Sequence, residues 1–309
     1  KPQIQTETVD SFYRRTIAQL KQEGAVGNAY AYMNSYYLLK KFNDDKPLSC
    51  LFSQIDDAFL SAFESWMRSR GNKETTLSFQ MRTLRAVFNR AVKAKIVSKE
   101  KNPFAEYKIS KFNTRTPKRA LSKADIMKIV NADCTLEKPV CRLAHDLFVF
   151  SYLCGGISFV DIANLTPESI AEGRLIYRRQ KTHGAINIPF SEQAKVIAEK
   201  YAAYCEHAGY LFPILNMHRH ITPQQKQNRV HKVCRQVNLA LQDFAKRQGI
   251  KATVTTYVAR HSFATVLKKS GVNIGIISEA LGHHSLKTTQ IYLDSFENSQ
   301  IDAAMQNLL

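Results

Sequence analysis

At 309 residues the chain is longer than one hydrophobic core usually supports, which points to about two domains. Its formal charge is +18, a balance that calls for a polyanionic partner, nucleic acid before a membrane surface. No apolar run approaches the roughly 20 residues that span a bilayer, and no secretory leader is evident, so a cytoplasmic protein is expected. The cysteines (Cys50, Cys134, Cys141, Cys154, Cys205, Cys234) form no C-x-x-C pair and read as reduced thiols, neither a disulfide frame nor a zinc site. A sequence that opens on Lys1 rather than methionine reads as a fragment of something longer.

The first 112 residues read as a helical bundle. Helical periodicity runs from Thr8 to Phe42 through Phe12, Ile17, Leu20, Tyr30, Met33, Tyr36 and Tyr37, and Asp44-Asp45-Lys46-Pro47 makes a turn. A second helix carries Phe59, Leu60, Phe63 and Met67 and stops at Gly71. A third starts after Asn72 or Thr75 and buries Leu77, Met81, Leu84, Phe88 and Ala91. Its other side lines up Arg82, Arg85, Asn89 and Lys93 at steps of three and four. Such a stripe is either a solvated face or a phosphate contact, and the overall charge favours contact. No helix-turn-helix or zinc-finger spacing names a helix that reads a groove. Residues 113–121 form a basic linker that includes Lys118 and Arg119, expected to lie along a DNA backbone.

The remainder, 122–309, mixes helices with one hairpin. Ser122 and Asp125 open a helix, and Arg142 to Leu153 makes an apolar, buried one. The stretch C-G-G-I-S-F-V-D-I-A-N-L follows from Cys154. Over 174–190, Leu175 and Tyr177 alternate on one arm and Ile186 and Ile188 on the other, with Thr182-His183-Gly184 as the turn and Lys181 at its mouth. Residues 191–250 are mostly helical, with a basic, polar stretch from His218 to Lys232 that is either plain surface or DNA-facing. Three short helices close the domain. The first carries Phe263, Val266 and Leu267 and stops at Gly271. The second follows Asn273 with Ile274, Ile277 and Leu281, and the third is capped by Ser285 and ends near Tyr292. Left over from the core positions are Arg260, His261, His283, His284 and Tyr292. Such groups suit phosphoryl chemistry: a guanidinium grips phosphate bidentately, an imidazole moves a proton, and a phenol attacks phosphorus.

The order R-H-x-x-x-T, L-G-H, T-x-x-Y between Arg260 and Tyr292 closely resembles the C-terminal boxes of the tyrosine recombinases, the phage-integrase family. The resemblance implies a mainly α protein with a small β-hairpin or sheet. A helical core-binding (SAM-like) domain over 1–112 and an α+β catalytic domain over 122–309 would clamp double-stranded DNA. It also implies site-specific recombination through a 3′-phosphotyrosyl link, with Tyr292 as nucleophile, Arg260 and His283 on the non-bridging oxygens, and Lys181 as general acid. Either His283 or His261 would help Tyr292 lose its proton. No cofactor or metal is required where side chains supply the positive charge. The implied assembly is a homotetramer on paired sites, helped by DNA-bending factors. A tail bearing Ile301, Met305 and Leu308 docks on a neighbour or on its own domain. In the family an arm-binding domain commonly precedes the point where this chain begins.

Two positions depart from the pattern. The family's T-G-L-R-x-S-E has its arginine where Ser158 stands here, with Asp161 at the acidic place. Losing one oxyanion donor costs on the order of 2.7–4 kcal/mol of transition-state stabilisation. Either another cation reaches the phosphate, Arg142 or His145 being upstream, or only DNA binding is kept. The wording G-G-I-S-F-x-D-I-A-x-L is similar to the branch carried on conjugative and mobilisable elements of gut anaerobes, where this arginine varies, which favours substitution. Tyr257 occupies the histidine place of H-x-x-R. A phenol, with a pKa of about 10, is a poor base and is given a positioning role. A type IB topoisomerase shares this chemistry, and a catalytically impaired DNA-binding module shares the fold.

Overall fold

A computed structural model describes residues 7–114, 120–283 and 285–290. The chain divides into units Lys1–Thr116 and Pro117–Leu309, a division that falls inside the 113–121 stretch.

In the first unit the helical stretch expected from Thr8 to Phe42 is broken at Gly24–Ala25 into α1 (Val9–Gln22) and α2 (Val26–Phe42). Thr8 caps α1 by accepting the Ser11 amide at 3.2 Å. Asp56 does the same for α3 (Asp57–Ser69), accepting from the Phe59 amide at 2.8 Å. The last long helix is α4 (Glu74–Lys93). Their apolar faces meet in one core, where Phe52 stands edge-on to Phe12 at 5.2 Å and to Phe88 at 5.7 Å. After α4 the chain adds short single turns that bury Phe104, Tyr107, Ile109 and Phe112 in the same core. Glu64 on α3 fastens them, accepting from the Tyr107 hydroxyl and from Lys111 Nζ at 2.6 Å.

The second unit is built on a central helix. Ser122 caps α5 (Lys123–Val130) through the Asp125 amide at 3.0 Å. Helix α6 (Pro139–Leu153) begins at Pro139, before the expected Arg142, because proline suits a first helical turn whose amide needs no partner. It buries Leu147, Phe148 and Phe150 and packs on α10 (Pro223–Arg247) and α11 (Thr256–Lys269). Ser158 caps the short α7 (Phe159–Ala163). The expected hairpin forms as β2 (Arg174–Arg178) and β3 (Ala185–Pro189), with Tyr177 opposite Ile186 and Leu175 opposite Ile188. A two-residue strand, β1 (Ile170–Ala171), adds to β2, giving a three-stranded antiparallel sheet in the order β1-β2-β3. Helices α8 (Glu192–Glu199) and α9 (Ala202–Ala208) follow, and α12 (Ile274–Ala280) and α13 (Leu286–Gln290) come after α11. The architecture is mainly helical with a small sheet, as the sequence implied. Among the described residues no helix is long and apolar enough to cross a membrane.

Candidate active site

Helix α11 carries Arg260 inward, only 2% exposed. A buried guanidinium is costly unless its donors are met. Here Nη1 donates to the Gly156 carbonyl at 2.8 Å and Nη2 to the Leu281 carbonyl at 2.5 Å. Gly156 permits this approach. Its φ is +66°, and a Cβ there would sit 2.9 Å from the Arg260 Cα. Gly156 is therefore what lets backbone press against the arginine.

The turn after α12 holds more than one cation. Its next carbonyl, that of Gly282, accepts from Arg179 Nη1 at 2.9 Å. Arg179 is 8% exposed and follows β2 directly. Consecutive carbonyls of one turn thus anchor guanidiniums from a helix and from a hairpin. The next residue is His283, whose Nε2 lies 3.0 Å from Arg260 Nη2. An arginine nitrogen only donates, so Nε2 accepts and carries a lone pair. Burial, then the charges of Arg260 and Arg179, push His283 down to about 4, so the ring is neutral at ordinary pH.

Asp161 completes the cluster from α7. One carboxylate oxygen accepts from the Gln180 amide at 2.8 Å, and the other from the Ser158 hydroxyl at 2.6 Å. The second oxygen also faces Arg179 Nε at 3.7 Å, a nitrogen that is buried and has no hydrogen-bond partner among the described residues. Ser158 therefore braces the carboxylate that braces Arg179. The group can hold an oxyanion between fixed donors, with an unprotonated imidazole nitrogen beside it.

The structure brings Arg260 and His283 together. Lys181 is exposed at the hairpin turn, in no hydrogen bond or ion pair among the described residues. Tyr257, one turn before Arg260 on α11, is 46% exposed, with its ring edge-on to His261 at 4.8 Å. Tyr292, His284, Lys118 and Arg119 lie outside the described residues. On α4, Arg82, Arg85 and Lys93 form the exposed stripe that their spacing suggests. The upstream candidates for the second cation are occupied elsewhere. Arg142 Nη1 donates to the Thr135 carbonyl at 3.2 Å, and His145 Nε2 lies 2.7 Å from the Ile129 carbonyl. Arg179 was missed, although the sequence contains a signal for it. It continues the alternation of the inward residues Leu175 and Tyr177, and a charge on an inward register position needs a reason to be there.

Residues 8–109 match the phage integrase SAM-like domain, and residues 119–299 match the phage integrase family. Tyrosine recombinase XerC of Thermodesulfovibrio yellowstonii is 28% identical over 77% of each chain. Tyrosine recombinase XerA of Pyrococcus horikoshii is 29% identical over 88% of this chain and 85% of its own. Among solved structures, the Tn1549 transposon integrase in complex with transposon right end DNA covers 98% of this chain and 99% of its own, at a TM-score of 0.67 and 17% identity. A lambda integrase dimer bound to a COC′ core site covers 94% of this chain and 99% of its own, at a TM-score of 0.66 and 18% identity. With the catalytic-domain match spanning more than half its length, the chain belongs to the phage integrase family of tyrosine recombinases.

Proposed function

We propose that the chain is a site-specific DNA recombinase, the integrase of a mobile element, that cleaves and rejoins duplex DNA through a 3′-phosphotyrosyl intermediate. The observation that carries this is the pair of buried guanidiniums, Arg260 and Arg179, held by neighbouring carbonyls beside a neutral His283. The Tyr292 phenol attacks the scissile phosphorus, the P–O5′ bond breaks, and Lys181 gives a proton to the departing O5′. The phenolic proton passes to His283 Nε2, whose lone pair becomes free when Arg260 turns from the ring to the incoming phosphate. Arg260 and Arg179 meet the charge that grows on the non-bridging oxygens. On this reading Arg179 fills from the hairpin the place left by Ser158, which favours catalysis over a binding module. Tyr257 positions the phosphate by hydrogen bonding. In the second half of the reaction a 5′-hydroxyl of the partner strand attacks the phosphotyrosyl link and releases Tyr292.

On this reading Arg82, Arg85 and Lys93, with Lys118 and Arg119 of the linker, hold the DNA backbone. The protein works in the cytoplasm as a homotetramer on paired sites, with DNA-bending factors. The G-G-I-S-F-x-D-I-A-x-L wording supports the branch carried by conjugative and mobilisable elements of gut anaerobes.

A suicide substrate nicked beside the scissile position tests the chemistry. The wild-type chain should give a covalent protein–DNA band, and Tyr292→Phe none. Specific gel shifts with no band under any condition would instead identify a DNA-binding module. Joining of separate sites, rather than relaxation of supercoils, distinguishes recombination from type IB topoisomerase action.

A further inference from the structure

We propose that Thr289 is a positioning residue for the reaction: its hydroxyl takes the Nδ1 proton of His283 and so decides that Nε2 is the nitrogen with the lone pair. This rests on the reading of His283 as proton acceptor given above. Thr289 lies on α13, is 0% exposed, and its Oγ1 is 2.9 Å from His283 Nδ1. The direction of that bond follows from the other side of the ring. Arg260 Nη2, a donor only, stands 3.0 Å from Nε2, so Nε2 must accept. A neutral imidazole carries one proton, which is then on Nδ1, and the Thr289 oxygen receives it. The opposite tautomer would set an Nε2–H against an arginine N–H and leave Nδ1 as the acceptor. In that state the ring could not take a proton from a phenol on the Arg260 side.

A β-branched residue at a buried helical position is ordinarily there for its shape, and valine would supply the same shape. The hydroxyl is what valine lacks. Burial makes the difference larger, since no bulk water stands in for a missing acceptor. Thr289 acts on the chemistry only through His283, as outer partners of functional histidines do when they fix a tautomer.

The test uses the full chain with ¹⁵N-labelled histidine and reads the tautomer of His283 directly, the signal being assigned by its loss in His283→Gln. Wild type and Thr289→Ser should show protonated Nδ1 and bare Nε2, whereas Thr289→Val should show a mixture or the reverse. On the nicked substrate Thr289→Val should cleave about tenfold to a hundredfold more slowly at unchanged DNA affinity, with Thr289→Ser close to wild type. If valine disturbs the fold, as circular dichroism and DNA binding will reveal, Thr289→Ala provides the same loss of hydroxyl without a new methyl. An unaltered tautomer in the folded valine or alanine variant overturns the proposal whatever the rate. An altered tautomer with full cleavage upholds the hold of Thr289 on the ring and overturns the role given to His283.

Discussion

Arg260 and Arg179 in the second unit, and Arg82 and Arg85 in the first, are the same chemical group under opposite conditions. The first pair is buried, each guanidinium fixed by a backbone carbonyl of the 281–282 turn. The second pair is exposed along α4, with Arg82 Nε only reaching back to the Ser78 carbonyl at 3.3 Å. A buried charge is screened little by water and so acts more strongly on its neighbours. An exposed one is screened within about 8–10 Å at ordinary salt, and its neighbours can replace it. On the proposed function, the difference separates groups that would act on a reacting phosphate from groups that would hold a polymer of phosphates.

The largest expected effect is at Arg260. Its change to alanine should lower strand cleavage by about 10³-fold or more, measured on the nicked substrate, because it removes several donors and strands the Gly156 and Leu281 carbonyls. Lysine should not rescue it, since one ammonium cannot span both carbonyls and a phosphate. Next comes Arg179→Ala, with a loss of about 10²–10³-fold. Arg142→Ala should leave the rate unchanged, and a reversal of that pair would break the distinction between the anchored and the merely nearby cation. Changing Arg82, Arg85 and Lys93 together to alanine should weaken DNA binding and flatten its salt dependence, by roughly 0.9 in the log–log slope for each phosphate no longer neutralised. Cleavage within the saturated complex should be untouched.

The smallest effect concerns His283, where the anchored charges act on a neighbour. Its ring should titrate with a midpoint of about 4 and show no histidine-like change between about pH 5.5 and 8 by NMR. The folded value lies below the unfolded one, so the unfolded chain takes up the proton first as pH falls. Stability present above about pH 6.5 is then lost on the way down towards the folded midpoint. Arg179→Ala should move that midpoint upward.

Much of this was legible in the residues. The inward positions of β2 and β3, the cap at Ser122 and the glycine stop at Gly271 follow from local rules that tertiary context did not override. The pairing of Arg260 with His283 was legible through the order of its motif. The break between α1 and α2 was harder to see, because apolar residues continue on both sides of it and only Gly24 marks the turn. Arg179 was hidden for a different reason. Place on the helix just before Ser158 favours Arg142 and His145, whereas Arg179, the cation proposed above to stand in, comes after β2 and is joined to Ser158 only in space. Asp161 links them, and a carboxylate that accepts from Ser158 and from Gln180 cannot be recognised as a link until the fold is known.

Gly282 matters finally for what it forbids. Any Cβ at this position would fall 2.6 Å from Ile186 Cδ1 and 2.8 Å from Arg179 Cδ. The backbone there packs against two side chains near the turn end of the hairpin. The loop carrying the histidine and the segment carrying the arginine are therefore close-packed at this point. A wedge far smaller than a domain would disturb such a seam: one methyl group placed there has to displace Ile186 or Arg179.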